Sequence, residues 1–203
     1  MLHCSDAIAY QAYELYQCME TQHEVPAILA FDGIQYSYMA PQVFSDECFA
    51  YVEEQVSILS GYYGILKPLD GVVPYRLELD QSLPRDGFHN LYTYWGNRLY
   101  KELTKKDHEI LDLASRQYSR IITRYEQPLD HIVRCYFMEA EHGNYREKGV
   151  YVKMARGEMV RYLAEINARN IEDAKGFCGL GYRYQKELSN ENKYVFTRHS
   201  RKK

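Results

Sequence analysis

The stretch EILDLASRQYSRIITRYEQPLDHIVRCYFMEA, residues 109–140, predicts a strand, a helix and a second strand in succession. EILDLA is a short apolar run of strand length, and HIVRCYFMEA is a longer one. Between them, Ser115 can cap a helix at about residues 116–125, because its hydroxyl can accept from an amide of the first turn. A turn signal at residues 142–144 then predicts that the chain reverses direction.

Helix and strand patterns also alternate outside this stretch. Further helices are predicted near residues 6–19, from Ser45 to a stop at Gly61, at 91–105 after a cap at Asn90, and at 150–168. Further strands are predicted at residues 63–68 and 75–79, and in a closing hairpin of 177–184 with 194–197, while 26–31 is either a buried strand or a short buried turn.

This mixture of elements indicates the fold class. Helices and strands are interleaved, but hairpin signals dominate the second half of the chain. We therefore predict an α+β fold: a single compact domain over residues 1–203 with a mixed, largely antiparallel sheet and flanking helices.

The composition is that of a globular protein without a membrane span. Of the 203 residues, 46% are apolar and 26% charged, and no run of 18 apolar residues occurs. The first residues lack a basic start before an apolar core, so no secretory signal is predicted. The five cysteines are scattered without a C-x-x-C pair, which argues against a disulfide framework and favours the cytoplasm. Tyrosine is abundant, with 21 residues, which fits half-buried positions or a binding surface.

The charge is distributed unevenly along the chain. Residues 1–100 hold 13 acidic and 4 basic side chains, whereas residues 101–203 hold 15 acidic and 21 basic ones. The net charge of −3 thus divides into −9 and +6. This asymmetry indicates either a surface that faces a polyanion or mutual pairing of the two parts in the fold.

Two predicted helices carry rows of basic side chains. Arg116, Arg120 and Arg124 recur every fourth residue and share one helix face. On the 150–168 helix, the basic residues are Lys153, Arg156 and Arg161. These rows suit phosphate oxygens, although ion pairs with nearby glutamates would explain them equally.

Gly157 lies inside the second of these helices. Glycine in a helix interior costs about 1 kcal/mol relative to alanine. The usual reason for that cost is close approach of another backbone or of a ligand.

Motifs for catalysis and metal binding are absent. The sequence contains no Walker loop, nucleophile elbow, dinucleotide fingerprint or spaced ligand set. We therefore predict no catalytic residue, no metal site and no cofactor.

Six motifs, in order, resemble a known family. They are AILAFDG at 27–33, LSGYYGILKPLDGVVPYRLEL at 59–79, LYTYWGN at 91–97, LDLASRQY at 111–118, KMARGEMVRY at 153–162 and GFCGLGYRY at 176–184. Together they closely resemble the bacterial peroxide stress protein YaaA family over about residues 5–200.

This resemblance implies a family-specific α+β fold and a cytosolic, non-enzymatic protein of the hydrogen peroxide response. It implies a role in keeping intracellular free iron low and so limiting oxidative damage. It also implies a basic cleft that binds DNA, in part through a helix-hairpin-helix-like element. The predicted helix that ends at Gly61, with its glycine turn, is the best candidate for that element.

The chain departs from the family pattern at three places. The family's usual N-terminal strand segment, with its Ser-Pro-Ala-Lys sequence, is absent from this sequence. Lys67 stands where an arginine is typical, which keeps the charge but loses the bidentate fork. Asp112 stands where asparagine is usual, so an anion site at Ser115 would be weakened unless that acid is paired.

We therefore predict a monomer that binds DNA without sequence preference, chiefly through phosphate contacts. The predicted contact residues are Gly61, Tyr63, Gly64, Lys67, Tyr75, Arg76, Ser115, Arg120, Lys153, Arg156 and Arg161. Two alternatives stay open: an enzyme or binder of a phosphorylated small molecule that uses the same basic pocket, and direct sequestration of iron.

Overall fold

The computed structural model describes residues 5–85, 87–141 and 143–199. Its α-helices are α1 (Asp6–Gln17), α2 (Ala27–Ala30), α3 (Ile34–Met39), α4 (Asp46–Gln55), α5 (Leu91–Trp95), α6 (Arg98–Leu103), α7 (Arg116–Thr123) and α8 (Gly149–Glu165). Its strands are β1 (Val25–Pro26), β2 (Ile58–Ser60), β3 (Gly64–Leu66), β4 (Gly71–Val72), β5 (Ser82–Arg85), β6 (Phe88–Asn90), β7 (Glu109–Asp112), β8 (His131–Glu141), β9 (Asn144–Arg146), β10 (Arg183–Tyr184) and β11 (Lys193–His199).

The predicted α+β class with a mixed sheet is confirmed. The largest sheet runs β10-β11-β8-β7, and β9 pairs with the far end of β8. Its three longest strands, β7, β8 and β11, are parallel, while β9 and β10 are antiparallel to their neighbours. The other described sheets are two-stranded antiparallel pairs, so antiparallel pairing is the more frequent kind in the described ranges.

The chain divides into two compact units. The first consists of Met1–Ala30, Val56–Lys106 and Ala114–Glu126. The second consists of Phe31–Gln55, Asp107–Leu113 and Gln127–Lys203. That both belong to one domain stays a prediction.

The core of the second unit lies between α8 and the large sheet. Inward-facing residues of β8, among them Val133 and Phe137, pack with Ala155 and Met159 of α8. Four further aromatic rings complete this core. The ring centre of Phe137 lies within 6.0 Å of the ring centres of three of them, Phe177, Tyr182 and Phe196. The apolar face of β8 therefore fixes the position of α8.

The core of the first unit is assembled from short elements. Ile28 of α2, Leu66 of β3 and Ile121 of α7 are all buried. Asn90 caps α5, as predicted, by accepting from the Thr93 amide at 3.0 Å.

The prediction of a helix that stops at Gly61 is wrong. Helix α4 ends at Gln55, and Ile58–Ser60 instead pairs with Gly64–Leu66 in a tight hairpin. The ladder bonds and the buried positions of Ile58 and Ser60 outweigh a helical continuation. The segment offered as a helix-hairpin-helix-like element therefore contains a β-hairpin.

Three other boundaries differ from prediction. Residues 75–79 follow Pro74, which cannot donate to a ladder, and form no strand. The predicted 91–105 helix is divided in two at Gly96, whose φ is +53°. The run 26–31 folds mainly as the single helical turn α2, so the turn is the correct alternative.

Most of the second half follows the prediction. Helices α7 and α8 and strands β7 and β8 lie where expected, and β9 reverses the chain after β8. His142 of that turn signal lies outside the described residues. In the closing hairpin, only Arg183–Tyr184 of the first predicted strand pairs with β11, because residues 179–181 form a helical turn.

Candidate nucleic-acid interface

Ser60 organises the turn between β2 and β3. Its hydroxyl oxygen accepts from the amides of Tyr62 and Tyr63, at 3.2 and 2.9 Å. The same oxygen lies 2.7 Å from the hydroxyl of Tyr75, in a hydrogen bond that either group can donate. Three groups of residues 62–75 are thus bound to one buried serine, and both turn amides already have an acceptor.

Gly61 and Gly64 are required by close contacts. A Cβ at Gly61 would lie 2.5 Å from the carbonyl oxygen of Leu77, and the Gly61 carbonyl accepts from the Trp95 indole at 3.0 Å. Gly64 has a φ of +84° and faces the ring of Trp95. Both glycines therefore serve the packing of the hairpin against its neighbours.

The tyrosines of this region form one aromatic cluster. Tyr63 and Tyr75 contact each other edge to face at 5.5 Å, and Tyr62 lies against both. The Tyr63 hydroxyl accepts from the Val73 amide at 3.1 Å. Burial raises the pKa of Tyr75, while its hydrogen bond with Ser60 acts in the opposite direction. Tyr63 and Tyr75 thus lie beneath the turn, as expected for half-buried tyrosines.

Replacing Ser60 with alanine should lower the free energy of unfolding by about 1–3 kcal/mol, because buried donors lose their acceptor. Urea denaturation of the purified variant measures this loss. The half-buried Ser57 provides a matched control, and Ser57→Ala should change stability by less than about 0.5 kcal/mol. Equal effects of the two substitutions would show that Ser60 does not organise the turn.

Lys67 and Arg76 flank this cluster, and both are exposed. The Lys67 amide donates to Asp70 at 2.7 Å, and the Arg76 carbonyl accepts from the Tyr16 hydroxyl at 2.8 Å. The backbone at both positions is therefore fixed while the charged ends reach solvent.

Helix α7 presents the clearest basic row. Ser115 caps it by accepting from the Tyr118 amide at 3.5 Å, which confirms the predicted cap. Arg116, Arg120 and Arg124 are exposed, and none of them forms an ion pair with another residue in the described ranges. The alternative of ordinary ion pairing therefore does not apply to this row.

Two members of the row lie over aromatic rings. The Arg124 guanidinium lies 5.2 Å from the centre of the Tyr125 ring, and the Arg120 guanidinium lies 5.4 Å from the centre of the Tyr92 ring. Tyr92 is itself buried and donates to the Gln117 carbonyl at 2.8 Å. This contact restricts Arg120 without neutralising its charge.

The basic residues of α8 differ among themselves. Arg161 is paired with Glu165 at 2.7 Å, so the ion-pair interpretation holds there. Lys153 is exposed and has no ion pair among the described residues. Arg156 is half-buried.

Gly157 faces the backbone of α3, so close backbone approach is the reason for this glycine.

The acid that departs from the family pattern is paired. Asp112 is buried at the end of β7 and accepts from Nε and Nη2 of Arg134, both at 3.0 Å. Because Arg134 offsets its negative charge, Asp112 meets the condition stated above, under which it would not weaken an anion site at Ser115.

The predicted site residues fall into two groups. The first unit contains Gly61, Tyr63, Gly64, Lys67, Tyr75, Arg76, Ser115 and Arg120, and the second contains Lys153, Arg156 and Arg161. Ser60 and Trp95 were missed, because a serine and a tryptophan gain these roles only through partners 15 and 34 residues away. Arg116 and Arg124 were seen as a row but not placed among the contacts, although their four-residue spacing was sufficient to find them.

Two classes of feature are not found in the described part of the chain. Every helix there is too short or too polar to span a bilayer. No group of three or more histidine, cysteine, aspartate or glutamate side chains in residues 5–85, 87–141 and 143–199 is arranged to hold a metal ion.

Sequence comparison identifies relatives along nearly the whole chain. UPF0246 proteins are 53% identical over 199 residues in Desulfitobacterium hafniense, 46% over 194 residues in Limosilactobacillus reuteri and 43% over 196 residues in Agathobacter rectalis. These alignments cover 98, 95 and 96% of this chain and 79, 78 and 79% of the respective relatives. The family model described as peroxide stress protein YaaA matches residues 1–188. The chain therefore belongs to the peroxide stress protein YaaA family.

Proposed function

We propose that this protein binds DNA during peroxide stress, as a monomer in the cytoplasm, and that it thereby helps to limit iron-driven oxidative damage. The peroxide-stress context comes from the family. The observation that supports DNA binding is the row of exposed arginines on α7, which have no ion-pair partner within the described part of the chain.

The geometry of the row suits a phosphate backbone. Successive arginines lie about 6 Å apart along the helix axis, since each residue rises about 1.5 Å. Their guanidinium groups are exposed and have no carboxylate partner among the described residues, so binding breaks no ion pair. Such contacts neutralise phosphates and release counterions, which gives affinity without sequence preference.

Neighbouring features of the same unit support this assignment. Tyr92 restrains Arg120, so less side-chain freedom is lost when that residue binds. Lys67 and Arg76 add exposed positive charge on the hairpin segment. DNA binding is accordingly assigned first to α7, with the hairpin residues as additional contacts.

Replacing Arg116, Arg120 and Arg124 together with glutamine should weaken duplex DNA binding about tenfold or more. The salt dependence is the sharper measurement. The slope of log K against log salt should fall by up to about 2.7, since each lost phosphate contact removes about 0.9. Fluorescence anisotropy with two duplexes of unrelated sequence measures both quantities.

A matched control removes the same charge elsewhere. Arg146, Arg169 and Lys186 are exposed residues of the second unit. Their triple glutamine variant should bind DNA with an almost unchanged salt slope. If the two triple variants lose affinity equally, the effect is one of net charge and α7 is not the interface.

A further inference from the structure

Arg156 is a half-buried cation that has no ion-pair or hydrogen-bond partner among the described residues. Its Nε is buried and makes no hydrogen bond, and the residue has no ion pair with any residue in the described ranges. The terminal nitrogens are not among the buried atoms that lack a partner, so they reach the surface. A guanidinium carries five N–H donors and no acceptor, so this side chain has unused donor capacity.

The surroundings of Arg156 make this arrangement unfavourable for the protein alone. Burial lowers the pKa of Arg156; the carboxylates of Glu147 and Asp112 oppose that effect, whereas Arg134 adds to it. Asp112 is already bound to Arg134 through two donors. A second guanidinium beside an occupied carboxylate therefore lacks the acceptor that buried cations normally have.

A comparison with the other buried atom that lacks a partner strengthens this argument. Among the described residues, the Tyr182 hydroxyl is also buried without a hydrogen bond. Its pKa is raised to about 12, chiefly by burial, so the phenol is neutral and needs no counterion. Arg156 is charged, and the cost of leaving it uncompensated is larger.

We propose that Arg156, flanked by Arg134 and Lys153, binds the oxyanion group of a small molecule, either a phosphate or a carboxylate. Lys153 lies three residues before Arg156 on α8 and therefore shares its face. Arg156 lies near Arg134 and near the carboxylates of Asp112 and Glu147. Together with Lys153, the cluster holds three cations and two acids, so it carries a net positive charge that an anion would offset. An oxyanion bound at the terminal nitrogens can also supply an acceptor to the Nε–H.

The degree of burial favours a small molecule over a nucleic acid backbone. Cys135, which is near Arg156, is 2% exposed, and the Arg156 Nε is buried. The α7 arginines, by contrast, are exposed along their whole row. The residues of this site belong to the second unit, whereas those of the proposed DNA interface belong to the first.

Thermal unfolding with inorganic phosphate or acetate, compared with chloride at equal ionic strength, tests this site. At about ten times the dissociation constant, the bound anion should raise the Tm of the full chain by about 3–5 °C. Arg156→Gln should abolish the shift, whereas Arg161→Gln, on the same helix but ion-paired with Glu165, should retain it. A Tm shift with phosphate indicates a phosphate ligand, and a Tm shift with acetate indicates a carboxylate ligand. A shift with either anion supports the site.

Several outcomes would overturn the proposal. If neither anion shifts the Tm, water alone satisfies Arg156 and the site does not exist. If the Tm shift is equal in wild type and Arg156→Gln, the anion binds elsewhere. If Arg156→Gln does not fold, Lys153→Gln removes an exposed charge and should at least halve the affinity for the anion; no change would count against the site. Loss of duplex DNA affinity in Arg156→Gln without any anion-dependent shift in the wild type would assign the residue to DNA instead.

Discussion

Glu139→Gln is expected to lower the free energy of unfolding by about 3–5 kcal/mol, because it leaves a buried arginine without its counterion. Glu139 is 1% exposed in the middle of the large sheet. Its Oε1 accepts from Nε and Nη2 of Arg198, at 2.8 and 2.5 Å, and Oε2 lies 2.9 Å from Nζ of Lys148. Arg198 is held between the rings of Tyr151 and Tyr182, so it cannot turn to solvent without breaking these contacts.

Guanidinium denaturation of wild type and variant measures this loss. Glu141 is the matched control, since it lies on the same strand and only 3.7 Å from Lys148 but is partly exposed. Glu141→Gln should cost less than about 1 kcal/mol. If Glu139→Gln costs as little, the attraction between Glu139 and its two cations only compensates the cost of removing these charges from water.

The same ion pair predicts a dependence of stability on pH. Burial by itself raises the pKa of Glu139, but the hydrogen bonds from Lys148 and Arg198 outweigh it, so the pKa lies below its ordinary value of 4.5. The folded state therefore binds this proton less readily than the unfolded chain. The stabilisation is present above about pH 4.5 and is lost as the pH falls through the folded pKa. Glu139→Gln should remove this part of the acid destabilisation.

Gly157→Ala is expected to cost about 3 kcal/mol or more, although alanine favours helices by about 1 kcal/mol. The added Cβ would lie 2.0 Å from the Gln35 carbonyl oxygen and 2.8 Å from the Met39 amide nitrogen. Both are backbone atoms of the segment that forms α3, so no side-chain rotation relieves the clash. The two helices would have to separate.

Gly149 is the control on the same helix. A Cβ there would meet no atom within 4 Å, so Gly149→Ala should leave stability within about 0.5 kcal/mol of wild type. Thermal unfolding followed by circular dichroism compares the two variants. If Gly157→Ala is as stable as Gly149→Ala, α3 and α8 do not pack backbone to backbone.

The elements predicted best were those whose signals are local. The strand–helix–strand pattern of residues 109–140 was correct because apolar runs and a capping serine act over a few residues. The cap at Asn90 was correct for the same reason. The parallel pairing of β7 with β8 was not predicted, because register between strands depends on contacts distant in sequence.

The candidate site was predicted only in part, and the errors have physical causes. Gly61 was identified as a helix stop because glycine commonly follows helices, whereas its actual constraint is the Leu77 carbonyl 2.5 Å from a Cβ position. The basic row on α7 was visible in the spacing of its arginines. Arg161 is paired, whereas Arg156 has no partner in the described ranges, and only the positions of their neighbours could decide this difference.

The sequence by itself determined the family, the α+β class and the faces on which basic side chains lie, since motifs and helical spacing are written along the chain. Tertiary structure alone decided which of those charges are compensated. It pairs Asp112 with Arg134, encloses Glu139 between Arg198 and Lys148, and leaves Arg156 without an acceptor among the described residues. The reason is that ion pairing and desolvation depend on distances of a few ångströms between residues far apart in sequence.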